Sequence, residues 1–317
     1  MKTTLSIFSA FLFSILFSFG FFTSCSSSDD PLLEESPIVD PPPGDDDDDD
    51  DEDDPKPNPP APWPYPKLIS LWNHTVDLNI TNVVKELNSN LVWTNDSPYA
   101  GQAWEKTHMY KCLQVPGIEY VFGKINRVAW GWTHKGSVEH ARWVAGLAKE
   151  HAKIAGLYLN DFYDEIEEGY RTEDQWREII AAAKEVNPNL HIWAPHYPHR
   201  NQGQHAFDFD IDGVIINLWG NKPEQLQDLE NQIAASLERH PNRYVVGGLY
   251  LFSGTGANER WLTESEFKSI LGHYVDLMNQ DKLVGVRLFS AELFIERPEY
   301  ITWAKEILER LEKPSDP

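Results

Sequence analysis

From Lys67 onward the chain carries eight short apolar runs, each separated from the next by a polar or amphipathic stretch. They are Leu68–Trp72, Leu91–Thr94, Tyr120–Ile125, Ala155–Asn160, His191–Ala194, Gly213–Leu218, Tyr244–Phe252 and Val284–Phe289. A strand buried on both faces reads as a near-continuous apolar run, and strands that alternate with helical segments argue for parallel pairing. Eight such units in roughly 250 residues match the size of a closed (β/α)₈ barrel. The competing α/β solution, a doubly wound sheet, carries a Gly-rich phosphate turn after its first strand. No GxGxxG follows Trp72, and nothing between Lys67 and Pro317 divides that region into halves. The expected fold class is α/β, a TIM barrel spanning 67–317.

The segments between the runs carry helix punctuation. A helix is expected over Ala103–Leu113, and Ser137 leads into Val138–His151, with Trp143, Val144, Leu147 and Ala148 on one face. Thr172–Gln175 and Thr263–Glu266 read as capping boxes ahead of Trp176–Val186 and Phe267–Met278, because the paired side chains satisfy each other's backbone donors. Asn187 and Pro188 stop the first of these helices, Pro223 suits a first turn before Leu226–Leu237, and Pro298 opens Tyr300–Leu311. Only the stretch Asn201–Phe207, after the fifth run, lacks a clear helix pattern.

Residues 1–66 are different material. Met1-Lys2, the apolar Leu5–Phe22 and then Thr23-Ser24-Cys25 follow the order of a secretory leader. An uncleaved membrane anchor is the alternative for an apolar run of that length. Phe22-Thr23-Ser24-Cys25 resembles the bacterial lipoprotein box, with Phe22 where that family usually has Leu. Ser26–Asp30 resembles the acidic surface-export signal of Bacteroidota lipoproteins. The resemblance implies a leader over 1–24, lipidation at Cys25, and a surface-exposed outer-membrane lipoprotein with the membrane as a partner. Residues 25–66 are rich in Pro, Asp and Glu, with an unbroken acidic run over Asp45–Asp54. Such a segment buries too little apolar surface to offset its ordering entropy, so a disordered, extended linker is expected. Calcium binding by the Asp run would need the Gly turn and spaced ligands of a calcium loop, which it lacks.

The formal charge of −23 is partly that linker, since Asp29–Asp54 holds 15 acids. From Lys67 on, 25 bases meet 35 acids. An acidic domain repels phosphate backbones, so nucleic acid is not an expected partner. Cys112 is the only other cysteine, which excludes a disulfide framework and reads as a buried, inert thiol. A monomer is expected.

In an α/β barrel the C-terminal ends of the strands face the active site. Those ends hold Trp72-Asn73-His74, Trp93 with Asp96, Trp130-Gly131-Trp132, Asn160-Asp161, Trp193 with His196 and Tyr197, Asn217 with Trp219, Tyr250, and Glu292. An indole offers a flat apolar face and one donor, which suits the C–H face of a sugar ring. Trp72 and Trp93 could equally fill the barrel, whereas Trp132 and Trp219 lie farther into loops. Trp72, Trp93, Trp132, Asn160, Tyr163, His196, Asn217, Trp219 and Tyr250 form the candidate sugar-binding set.

Glycoside cleavage uses two acids, about 5 Å apart in retaining enzymes and farther in inverting ones. One must keep its proton near neutral pH, which close acids or apolar neighbours promote. Asp161, beside Phe162 and Tyr163 and near Asp164 and Glu165, has both influences and is the expected general acid. Its expected partner is Glu165 or Glu292, with Asp164 a further candidate. Asp164 and Glu165 would serve equally as the acidic start of a helix, and Glu292 could pair with Arg287 or Arg297. Strands four and eight face each other across a barrel, so an Asp161–Glu292 pair would be widely spaced and would favour inversion.

The octapeptide Tyr158–Glu165 resembles the fourth-strand signature of barrel glycoside hydrolases. It is most similar to the families that use substrate-assisted catalysis on N-acetylhexosamines. There the first acid orients the acetamido group and the second protonates the leaving oxygen; this chain has Asn160 where the first acid of the pair would stand. Asn160-Asp161 also resembles the large Asn-Glu clan, whose strand-seven nucleophile has no counterpart in Tyr250–Ser253.

Other chemistries find less support. His191, His196, His199 and His205 could ligate a metal, yet no HxH or HExxH accompanies them, and neither metal nor cofactor is expected. Ser253–Gly256 reads as a short Gly turn rather than a phosphate cradle. Lys124, if desolvated, could form a Schiff base, with no second feature in support. The expected function is glycoside hydrolase-like cleavage of an extracellular oligo- or polysaccharide. The alternative is a surface glycan-binding barrel without catalysis, and the discriminator is whether Asp161, Glu165 and Glu292 face one cavity.

Overall fold

The computed structural model describes residues 66–73, 80–94, 103–128, 131–198, 209–218, 227–253 and 260–312. Cys25, the leader, the acidic linker, Trp219, Asp96, His199 and Asn201–Phe207 lie outside them. Eight strands close into one barrel: β1 Leu68–Asn73, β2 Leu91–Thr94, β3 Tyr120–Ile125, β4 Ile154–Leu159, β5 His191–His196, β6 Gly213–Asn217, β7 Tyr244–Tyr250 and β8 Gly285–Phe289. Each pairs in parallel with its sequence neighbour, and β8 returns to β1 with Gly285 opposite Leu68. This is the (β/α)₈ fold. Nine α-helices are assigned among the described residues: α1 Thr81–Leu87, α2 His108–Leu113, α3 His134–Glu150, α4 Phe162–Glu167, α5 Glu173–Val186, α6 Leu229–Arg239, α7 Glu264–Asn279, α8 Ala291–Glu296 and α9 Glu299–Leu308.

Side chains alternate across each strand, and here the two sets make two cores. Trp72, Trp93, Phe122, Tyr158, Trp193, Ile215 and Val246 fill the lumen, while the opposite parity packs outward against the helices. The lumen is crowded with rings, so its glycines are spacers. A Cβ on Gly213 would sit 2.6 Å from the Trp193 ring. Both capping boxes form, at Thr172–Gln175 and Thr263–Glu266, each worth about 1 kcal/mol of helix stability.

Three elements differ from the sequence expectation. The helix over Ala103–Leu113 is broken, because Thr107 turns extended and caps α2 by accepting from the Tyr110 N–H, which leaves a single 3₁₀ turn at Trp104–Lys106. The seventh run divides: β7 ends at Tyr250, and Phe252–Ser253 pairs antiparallel with Arg260–Trp261. Short helices α4 and α8 follow β4 and β8 directly, before the long helices that return the chain.

Candidate active site

Asp161 follows β4 at the C-terminal mouth of the barrel. Its backbone is left-handed, φ 50°, a region that Asp tolerates better than most side chains but that still costs energy. The reversal starts α4 and holds the carboxylate among side chains of other strands. Asn160 Nδ2 donates to Oδ2 at 2.7 Å, Tyr197 Oη donates to Oδ1 at 3.3 Å, and Arg127 lies 3.8 Å from Oδ2. Burial raises the Asp161 pKa above the ordinary carboxylate range; Lys124 and Arg127 oppose that shift, and Asp164 adds to it. Lys124 responds in the opposite sense. Buried on β3 and near Arg287, it is lowered to about 7 despite the pull of Asp161.

The network continues through the lumen. Arg287, on the inward parity of β8, donates from Nη2 to Asn217 Oδ1 at 2.5 Å. Tyr158 lies close enough to Arg287 and Asn217, and Tyr250 to Tyr197, for each neighbour to act on its pKa. The Lys124 ammonium and the Arg287 guanidinium both approach the Trp72 ring, at 4.7 and 5.0 Å from its centre. Asp161, Asn160, Asn217 and Tyr250 of the expected set are therefore brought into one network. Lys124, Arg127, Tyr197 and Arg287 join it without having been singled out for that role. The signal for two of them was present: a charged residue inside an apolar strand, Lys124 in β3 and Arg287 in β8.

Glu165 is placed otherwise. Its side chain and that of Arg171 have 0% exposure. Arg171 donates to Glu165 Oε2 at 2.5 Å, and the Val128 N–H donates to Oε1 at 2.5 Å. Arg171 also reaches Ser137 Oγ and the Asn126 carbonyl, and its guanidinium lies over the Trp176 ring. Desolvation outweighs the Arg171 charge and leaves Glu165 above its usual pKa. The pair ties the β3–α3 loop to α4 and α5, which speaks for a structural fastening and against the acid role expected for Glu165. Asp164 is buried in α4 beside Asp161 and acts on it through charge. Glu292 is half-buried in the first turn of α8, at the end of β8.

The aromatic set also divides. Trp72 and Trp93 are lumen filling: they pack on Tyr158, Phe122 and Trp193, and Trp93 Nε1 donates to Ser70 Oγ at 2.9 Å. Their inward parity and near-complete burial oppose the sugar-platform role expected of them. His196 shares the outward parity of Ile192 and Ala194 and packs edge-on against His240, 4.6 Å between centres, so it does not join the lumen network. Tyr163 is turned into the outer core, edge-on to Phe162. Trp132 is half-buried at the start of the α3 region, edge-on to His140.

No protein-family model matches the chain, and no curated protein matches it. Solved structures do. A class V chitinase mutant from the plant Cycas revoluta, in complex with (GlcNAc)3, aligns with a TM-score of 0.52 and 11% identity over 75% of this chain and 98% of its own. A GH128 (subgroup I) endo-β-1,3-glucanase from Amycolatopsis mediterranei, in complex with laminaritriose, gives 0.50 and 10% over 77% of this chain and 100% of its own. A β-glucuronidase from Bacteroides uniformis gives 0.52 and 14% over 72% of this chain. The present chain spans 30% of that glucuronidase. The barrel is thus built like those of glycoside hydrolases. At such identities the likeness is one of fold.

Proposed function

We propose that the barrel is a glycoside hydrolase-like domain that cleaves an extracellular glycan, with Asp161 as the proton donor to the leaving oxygen. The observation that carries this reading is a strand-end carboxylate, held by a left-handed backbone, whose surroundings favour its protonated form. A general acid needs that combination of position and retained proton. Asp164, a buried like charge close by, supports proton retention. Glu292, at the end of β8, is the candidate second acid, and tethering through Cys25 belongs to the same proposal. Asn160, Tyr197, Asn217 and Tyr250 would orient the sugar hydroxyls.

One observation favours a second reading, a glycan-binding barrel without turnover. Glu165, one of the expected partners, is locked to Arg171, and a two-acid mechanism then depends on Glu292 or Asp164. The test is incubation of the full protein and its Asp161→Asn variant with a broad glycan panel, with products read by mass spectrometry. Cleavage by the first, lost at least ~10²-fold in the second, is the expected result for a general acid. Binding without cleavage by either protein would leave the non-catalytic reading.

A further inference from the structure

Arg287 is a buried guanidinium that no carboxylate answers among the described residues. Its partners among the described residues are neutral: the Asn217 carbonyl oxygen at 2.5 Å, and the faces of Trp72 and Tyr158 at 5.0 and 5.4 Å. Its Nε is buried without an acceptor among the described residues. Lys124 brings a second cation to the same indole, 4.7 Å from the ring centre. Asp161, the carboxylate that acts on Lys124, also lies 3.8 Å from Arg127, whose nearer partner is Glu168. A buried charge without a counter-charge is costly, and a neighbouring basic group adds repulsion whenever it is protonated.

The backbone is shaped around this group as well. A Cβ on Gly248 of β7 would collide with Asn217 Oδ1, so the bare glycine leaves the amide room to turn toward Arg287. The network is not sealed, since Asp161 and Arg127 each keep 17% side-chain exposure at the mouth.

We propose that Arg287, with Lys124 beside it, receives an anionic substituent, a carboxylate or a sulfate ester, on the sugar that enters the barrel. This deepens the glycan reading above and rests on it. A guanidinium fork matches the two oxygens of a carboxylate or sulfate, and the bond is charge-assisted. A site built to pair a buried charge also rejects a ligand that lacks it, because the cation is then left unanswered.

The experiment uses the full-length Asp161→Asn protein, so that ligands bind without turnover. It is titrated calorimetrically with uronic-acid oligosaccharides, each beside its carboxyl-reduced counterpart, and with sulfated oligosaccharides, each beside its desulfated counterpart. One acidic class should bind at least ~10-fold more tightly than its neutral partner, a difference of about 1.4 kcal/mol, and the class that does so identifies the anion. Adding Arg287→Gln should bring the acidic-to-neutral affinity ratio to about one. If that variant does not fold, Lys124→Met is the second arm and should lower the acidic-to-neutral ratio. Equal or tighter binding of the neutral member in both sets overturns the anion receptor and leaves the glycan reading standing. Folded protein that binds none of the ligands overturns both.

Discussion

Asp161 and Glu165 are carboxylates four residues apart at the end of one strand, and the fold treats them in opposite ways. Asp161 sits at the barrel mouth with 17% side-chain exposure, in a strained backbone conformation, and its partners Arg127, Asn160 and Tyr197 follow the ends of β3, β4 and β5. Glu165 is one turn on, fully buried, in helical backbone, and its neighbours knit a loop to two helices. Both have raised pKa values, and in both burial is the leading cause. A shifted pKa alone therefore does not mark a carboxylate as a proton donor. What separates them is whether solvent reaches the group and whether a single cation satisfies it completely.

That contrast can be broken by mutation, and the largest effect is expected at the structural site. Glu165→Ala should cost about 3–5 kcal/mol in chemical denaturation, because Arg171 is left buried and uncompensated. Glu165→Leu combined with Arg171→Met should recover most of that loss, since replacing both members of a buried pair by apolar groups is often neutral or stabilising by about 1–4 kcal/mol. A double variant as unstable as Glu165→Ala would mean that the hydrogen bonds to Val128 and Ser137 matter more than the charge pair.

At the mouth the effects should fall on activity. Asp161→Asn is expected to lower turnover by at least ~10²-fold while leaving the melting temperature near that of the parent. Asp161→Gly goes further and should raise stability by about 1 kcal/mol, because glycine takes a positive φ without the side-chain penalty. A destabilised glycine variant would show that the hydrogen bonds of the carboxylate outweigh its backbone strain.

The smallest effect is a slope with pH. The native state holds the Asp161 proton more tightly than the unfolded chain does. Its contribution is then full below the unfolded value of about 3.9 and is lost as pH rises through the higher folded value. The stability of Asp161→Asn relative to the parent should accordingly increase from about pH 4 upward. A difference that shrinks with rising pH would place the native pKa below the unfolded one and remove the basis for a proton donor.

The barrel was legible because strands buried on both faces must be apolar, and both capping boxes formed where the Thr-x-x-Gln and Thr-x-x-Glu spacing placed them. The candidate site was legible only in part. Asp161 could be found from its strand-end position, and Asn217 and Tyr250 from theirs. Trp72 and Trp93, which the sequence left open between lumen filling and a sugar platform, take the inward parity of a lumen that needs large rings. The same parity rule, applied to His196 with Ile192 and Ala194, would have turned that imidazole outward. Arg287 was not legible as a partner of Asn217, which it meets across 70 residues of sequence; Arg171 lies only six residues from Glu165, but nothing in the sequence marked the two as buried together.

The most direct test of the account is the ratio of two rates on one glycan. Parent protein and Asp161→Asn, matched for folded fraction by their melting curves, are given the substrate that the parent cleaves. The account predicts at least ~10²-fold slower release of product by the variant at equal folded fraction. Equal rates, or a loss accounted for by unfolding, would contradict it and return Asp161 to the class of structural carboxylates that Glu165 exemplifies.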